Sequence, residues 1–227
     1  MGAWHRMLWT EGQRWLRRGL RLGCLACLPL GLAACSPSPP FSPLPTNARV
    51  LVLGDSLVSG YGLSVQRAWP ALLSQTTGWQ IENAGVSGNT SEQGLARLPD
   101  YLDVESPPAA VIVVLGGNDM LRKIPEAQTR ANLATAIEKI RRVAAVPVLI
   151  AVPRPSLAGA VLQSLDDADL YAELAAESNV PLIESVFSDV LSESALKLDR
   201  LHPNDAGQQE LARRIADAMR KLGLFAP

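Results

Sequence analysis

Residues 49–57 read RVLVLGDSL and residues 110–119 read AVIVVLGGND. Each begins as a short run of valine, isoleucine and leucine and stops at glycine followed by small polar residues. A run that is apolar throughout, not only at every second position, is the pattern of a strand covered on both faces, as in a parallel sheet. Ala110 to Leu115 fits the centre of such a sheet, and Arg49 to Leu53 is a second buried strand. Gln80 to Ala84, Pro147 to Val152 and Val180 to Ile183 supply three more, the first of them weaker in pattern. Between them, helical periodicity runs through Trp69 to Thr76, Ser91 to Leu102, Glu126 to Ala144 and Asp167 to Ser178. A last helix from about Ala206 to Leu222 puts Leu211, Ile215, Ala218 and Leu222 on one face, with Asn204 or Asp205 as its cap. This alternation predicts an α/β fold, a three-layer α/β/α sandwich around a mostly parallel five-stranded sheet with right-handed crossovers.

The chain has 227 residues, 48% hydrophobic and 19% charged, which suits one ordinary globular domain or two small ones. It excludes a disordered chain, a collagen-like repeat and a coiled coil. A formal net charge of −1 argues against a nucleic-acid partner. That near-balance hides an asymmetry. Arg6, Arg14, Arg17, Arg18 and Arg21 precede Cys35 against the single acid Glu11, so the remainder carries a net of −5. Leu22 to Ala34 is a mostly apolar run of 13 residues. Crossing a bilayer takes about 20, so the run is too short for a stable membrane span. A basic block followed by a short apolar run reads as an export signal. Its end, Leu32-Ala33-Ala34-Cys35, resembles a bacterial lipobox, in which the cysteine thiol takes a diacylglycerol before cleavage. The expectation is a signal peptide over 1–34, a lipidated Cys35 opening a Pro/Ser-rich tether over 35–48, and a folded domain over 49–227. Ser36 after the cysteine, by the same resemblance, points to the outer membrane, with the domain facing the periplasm. A signal that is simply cleaved is the alternative.

Sheets of this kind bind ligands at the carboxyl ends of their strands. Three strands end there in glycine and small polar residues: Gly54-Asp55-Ser56-Leu57, Gly85-Val86-Ser87-Gly88-Asn89 and Gly116-Gly117-Asn118-Asp119. Asp199-Arg200-Leu201-His202-Pro203 stands just before the last helix, which can pack back on the sheet and deliver His202 to the same edge. His202 is the only histidine after His5, so any chemistry of the folded part that needs an imidazole must use it. Taken singly, each fragment has an ordinary structural reading as a turn, a cap or a surface pair. Taken together, a serine, an imidazole, a carboxylate three residues before it and two oxyanion donors fall where the fold would gather them. Several alternatives are excluded. The residue two after Ser56 is Val58, so there is no G-x-S-x-G elbow. No lysine follows Gly60 or Gly62 to make a phosphate loop, and Gly60-Tyr61-Gly62 does not extend to G-x-G-x-x-G. A single downstream histidine and no free thiol cannot build a typical zinc site.

At these residues the sequence resembles the GDSL, or SGNH, hydrolase family over residues 49 to 222. The strings GDSLVSGYGL, NAGVSGNTSEQGLARL, LGGNDMLR and LHPNDAG are similar to its branch of periplasmic esterases with thioesterase, lysophospholipase and arylesterase activity. The resemblance implies a flavodoxin-like fold and catalysis by Ser56, Asp199 and His202. The Ser56 and Gly88 backbone N–H groups and the Asn118 amide would form the oxyanion hole. His202 would take the Ser56 proton and return it to the leaving group, while Asp199 fixes the imidazole tautomer. Asp55 and Asp119 are expected to hold turns, and Asn89 and Thr90 to cap the following helix. The implied reaction is acyl transfer from an ester or thioester to water, by a monomer needing neither a metal nor an organic cofactor. Arg200 departs from the family pattern, which has a small residue there, as do the stretches Pro153 to Leu165 and Ser185 to Leu198. Two further readings remain: an esterase or transacylase acting on carbohydrate or cell-wall O-acetyl groups, and a tethered binding protein without chemistry.

Overall fold

The computed structural model describes residues 41–155 and 164–226, so the expected signal peptide and Cys35 lie outside it. Five strands form one sheet in the order β2-β1-β3-β4-β5. They are β1 (Arg49–Gly54), β2 (Gln80–Gly85), β3 (Ala110–Val114), β4 (Val146–Ile150) and β5 (Leu182–Ile183), and all their pairings are parallel. Buried apolar side chains line both faces of the middle strands: no residue from Val50 to Leu53 or from Ala110 to Val114 is more than 2% exposed. The chain leaves β1 for β2 on one side and returns for β3 on the other, so the switch point lies between β1 and β3. Gly54 is level with Gly85 on one neighbour and with Val114 on the other, so three polar loops leave the sheet at one height.

Among the described residues the α-helices are α1 (Ser56–Ser59), α2 (Trp69–Thr77), α3 (Ser91–Arg97), α4 (Gly117–Leu121), α5 (Glu126–Arg142), α6 (Leu170–Ser178), α7 (Val186–Ser192) and α8 (Asp205–Leu222). One group packs α2 and α7 against α8, the other packs α3 and α6 against α5. Asn204 caps α8, its side chain accepting from the Gly207 N–H at 3.0 Å, as the first of the two predicted caps.

Some boundaries differ from the sequence reading. The predicted helix over Ser91 to Leu102 stops at Arg97, and Leu98–Tyr101 is a 3-10 turn, because Pro99 has no N–H to continue the ladder. The helix expected from Asp167 starts at Leu170, since Asp167 bridges to Pro153 and the Ala168 N–H donates to the Val152 carbonyl at 3.2 Å. The last strand is two residues, not four; Pro181 can offer only its carbonyl, which accepts from the Leu149 N–H at 2.9 Å. Phe41 and Leu44, expected in the tether, dock instead. Their N–H groups donate to the Leu222 and Leu224 carbonyls at 3.2 and 2.9 Å, and both side chains pack on the core.

One buried connection fixes α8 against the start of the fold. Gln208, 1% exposed, accepts the Trp69 backbone N–H at 2.9 Å, and the Trp69 indole donates to the Leu57 carbonyl at 2.9 Å. A buried N–H left without a partner costs about 1–3 kcal/mol. Gln208→Leu is therefore expected to lower the urea-unfolding free energy by that amount, with the far-ultraviolet circular dichroism of the folded protein unchanged.

Candidate active site

Asp55 caps α1 by accepting the Leu57 N–H at 2.9 Å, which leaves Ser56 as the first helical residue, above the end of β1. At Gly85 the backbones of β2 and α1 touch, and a Cβ there would stand 2.3 Å from the Ser59 nitrogen. The end of β2 thus sets the height of α1 and of Ser56.

His202 reaches Ser56 from 146 residues away, with Nε2 at 2.9 Å from the serine Oγ. Its Nδ1 lies 2.9 and 3.0 Å from the two carboxylate oxygens of Asp199. Asp199 Oδ1 also accepts the Leu201 and His202 N–H groups at 2.7 and 2.8 Å, which folds the three-residue spacing into a tight turn. Burial pushes the Asp199 carboxyl up. The His202 ring and the two backbone N–H groups outweigh it and hold the carboxyl below its ordinary value. Tyr61 stacks on the imidazole, with ring centroids 4.3 Å apart and planes 28° from parallel.

The candidate oxyanion donors line the same cleft as Ser56 and His202. Among the described residues the Ser56 and Gly88 backbone N–H groups have no hydrogen-bond partner. Gly88 has φ 82°, a left-handed conformation that a side chain would strain. Asn118 lines the same cleft, but both its amide protons are engaged: Nδ2 donates to Asp55 Oδ2 at 2.9 Å and to the Asn89 carbonyl at 3.0 Å. Burial pushes Asp55 up to about 6, against the Leu57 N–H and the Asn118 amide, which pull it down. Asp119 is fully buried and accepts from the Ser91 N–H, the Ser91 hydroxyl and the Thr129 hydroxyl at 2.8, 2.5 and 3.2 Å. It ties the loop after β3 to α3 and α5.

Thr90 caps α3 in a capping box with Gln93, as expected. Asn89 does not cap. Its Oδ1 accepts from Arg97 Nε at 2.9 Å, and the same guanidinium donates to the Gly54 carbonyl at 2.8 Å. Arg122 donates to the Gly88 carbonyl at 2.8 Å. Sequence reading missed Arg97, Arg122 and the Tyr61 stack.

Ser56, Gly88, Asn118 and His202 all face one cleft of about 470 Å³. Its walls include Leu57, Leu121, Val152, Pro153, Leu165 and Leu191, and Tyr61 is its aromatic residue. Among the described residues no three His, Cys, Asp or Glu side chains gather as a metal-holding group.

The model of the GDSL-like lipase/acylhydrolase family matches residues 52–210, which include Ser56, Gly88, Asn118, Asp199 and His202. The chain is 38% identical over 178 residues to thioesterase 1/protease 1/lysophospholipase L1 of Escherichia coli K12, covering 76% of this chain and 84% of that protein. It is 31% identical over 214 residues to the esterase TesA of Pseudomonas aeruginosa PAO1, covering 91% of this chain and all of that one. The solved structure of the psychrotrophic esterase EstA from a Pseudoalteromonas species superposes with a TM-score of 0.67 at 27% identity, covering 77% of this chain and 97% of that one. With the parallel sheet, its switch-point cleft and the serine–imidazole–carboxylate chain already in place, these matches agree that the chain belongs to the GDSL-like lipase/acylhydrolase family.

Proposed function

We propose that the chain is a serine esterase that hydrolyses carboxylic ester and thioester bonds through an acyl-serine. The observation that carries this is the run of contacts from Ser56 Oγ through both nitrogens of His202 to Asp199. With Asp199 accepting from Nδ1–H, Nε2 has a lone pair for the Ser56 hydroxyl proton. Ser56 Oγ attacks the substrate carbonyl carbon as that proton passes to Nε2. The resulting oxyanion takes hydrogen bonds from the Ser56 and Gly88 N–H groups and from Asn118. Asn118 serves it by exchanging the neutral Asn89 carbonyl for a charged oxygen, a change that favours the intermediate because charge-assisted bonds are stronger. Collapse expels the alcohol or thiol, which takes its proton from the imidazolium. Water, deprotonated by His202, then attacks the acyl-serine, and the carboxylic acid leaves with Ser56 restored.

The leucine, valine and proline walls suit an acyl chain. A sugar-acetate groove calls for exposed aromatics, yet Trp69, Trp79 and Phe187 are buried, and among the described residues Tyr61 is the one tyrosine, tryptophan or phenylalanine that lines the cleft. The names of the Escherichia coli relative and of the arylesterase of Vibrio mimicus, 32% identical over 181 residues, support aryl esters, acyl thioesters and lysophospholipids as substrates. The Leu32-Ala33-Ala34-Cys35 string supports a lipoprotein anchored through Cys35 in the cell envelope, facing the periplasm from the outer membrane.

Three outcomes are expected. Ser56→Ala and His202→Ala each lower kcat/KM for p-nitrophenyl butyrate by at least about 10³-fold. Asn118→Ala lowers it about 10²-fold to 10³-fold, and Asp199→Ala, at the exposed end of the chain of contacts, costs less than either. Wild-type turnover by Ser56→Ala would remove the assignment.

The second outcome concerns pH. Asp55 rises from 3.8 to about 6 on folding, so the folded chain holds that proton more tightly than the unfolded one. Its ionisation therefore costs stability, and the cost sets in as pH rises from about 4 through about 6. At about 1.4 kcal/mol per pH unit the full loss is about 3 kcal/mol. Urea titrations are expected to show wild-type stability falling by up to that amount relative to Asp55→Asn between about pH 4 and about pH 7.

Third, cells expressing the full chain and fed labelled palmitate are expected to label it, and Cys35→Ser to lose the label.

A further inference from the structure

Arg200 lies between Asp199 and His202, yet no side chain among the described residues pairs with its guanidinium. It is exposed and lines the catalytic cleft together with His202 and Leu201. Among the described residues its guanidinium makes no ion pair and no hydrogen bond, whereas every other arginine there makes at least one. Arg154, on the same cleft, is held by Asp169 at 2.7 Å. The nearest carboxylate in sequence, Asp199, is committed to the His202 ring and to two backbone N–H groups. A long cationic side chain therefore projects, uncompensated by a neighbouring acid, into a cleft whose other walls are largely apolar.

The direction of the chemistry says which half of a substrate meets it. His202 Nε2 must lie within hydrogen-bond reach of the departing oxygen or sulfur in order to protonate it. The alcohol or thiol half of the ester thus sits beside His202, on the loop that carries Arg200. The acyl half extends from the carbonyl toward the apolar walls.

We propose that Arg200 is a specificity-determining residue whose guanidinium takes an anion, a phosphate or a carboxylate, carried by the leaving half of the substrate. The planar fork of arginine matches both groups in two-pronged geometry. The favoured substrates are then acyl esters or thioesters of anionic alcohols or thiols, chosen over neutral ones. The inference rests on the ester-hydrolysis reading above.

The test compares p-nitrophenyl butyrate with 3-carboxy-4-nitrophenyl butyrate, which share the acyl group and the nitrophenolate readout but differ in charge on the leaving half. The quantity read is the ratio of kcat/KM for the charged ester to that for the neutral one. Arg200→Ala is expected to lower the ratio about fivefold, as for a half-exposed ion pair, and Arg200→Glu to lower it further. The wild-type ratio is expected to fall as salt rises from about 0.02 M to about 0.5 M, where screening shortens to a few ångströms. A ratio that neither substitution nor salt moves, in an enzyme that hydrolyses both esters, overturns the inference and leaves the reading of the site intact. A wild-type chain that hydrolyses neither ester overturns both. Two further arms separate the sources of the anion. A loss in Arg200→Ala on 1-lauroylglycerol 3-phosphate supports a glycerolipid phosphate, a loss on lauroyl-coenzyme A supports a nucleotide-bearing thiol, and a loss on neither again overturns the inference.

Discussion

Trp69 makes two hydrogen bonds to parts of the chain that are far apart in sequence. Its backbone N–H goes to Gln208 on α8, and its indole goes to the Leu57 carbonyl beside the nucleophile. Because Trp69 is wholly buried, neither partner can be replaced by water without cost. The helix that follows His202 is thereby held in register with the helix that begins at Ser56. The 2.9 Å contact between imidazole and hydroxyl is supported by this connection as well as by the Asp199 turn in the short loop that carries the histidine. Asn204 adds to it locally, with its side chain accepting from Gly207 and donating to the Ala195 carbonyl.

A second constraint acts through Asp55. A carboxylate buried at the base of the cleft holds both the first turn of α1 and the Asn118 amide, so the serine and one of its candidate oxyanion donors share a support. Burial makes the ionised form costly, and the same burial strengthens the two bonds it accepts. A site that trades some stability for fixed donors fits the general expectation that a catalytic environment is organised before the charge appears.

Much of this was readable from the chain alone. Apolar runs located most of the strands, two of them leading into glycine, and Ser56, Gly88 and Asn118 stand beyond strand ends, where the resemblance to the family gave them their roles. His202 was identifiable because no other histidine follows the leader. What escaped has physical causes. Helices α1, α4 and α7 have four, five and seven residues, too few to show a helical period. Arg97, Arg122 and Gln208 are residue types usually found on surfaces, and only the folded chain shows that each closes a specific backbone gap. Asn89 and Thr90 both looked like caps, and sequence could not reveal that an arginine eight positions on takes the first. The engagement of both Asn118 protons is likewise a property of the assembled loops.

The docking of Phe41 and Leu44 beside the last turn of α8 fixes where the chain enters the folded body. That helix has 18 residues and starts just beyond His202, so its two ends are about 27 Å apart. The chain therefore enters the folded body at the pole remote from the open cleft, and fraying that begins at this entry would open the seam between Leu44 and Leu224 about a helix length away from the serine and histidine.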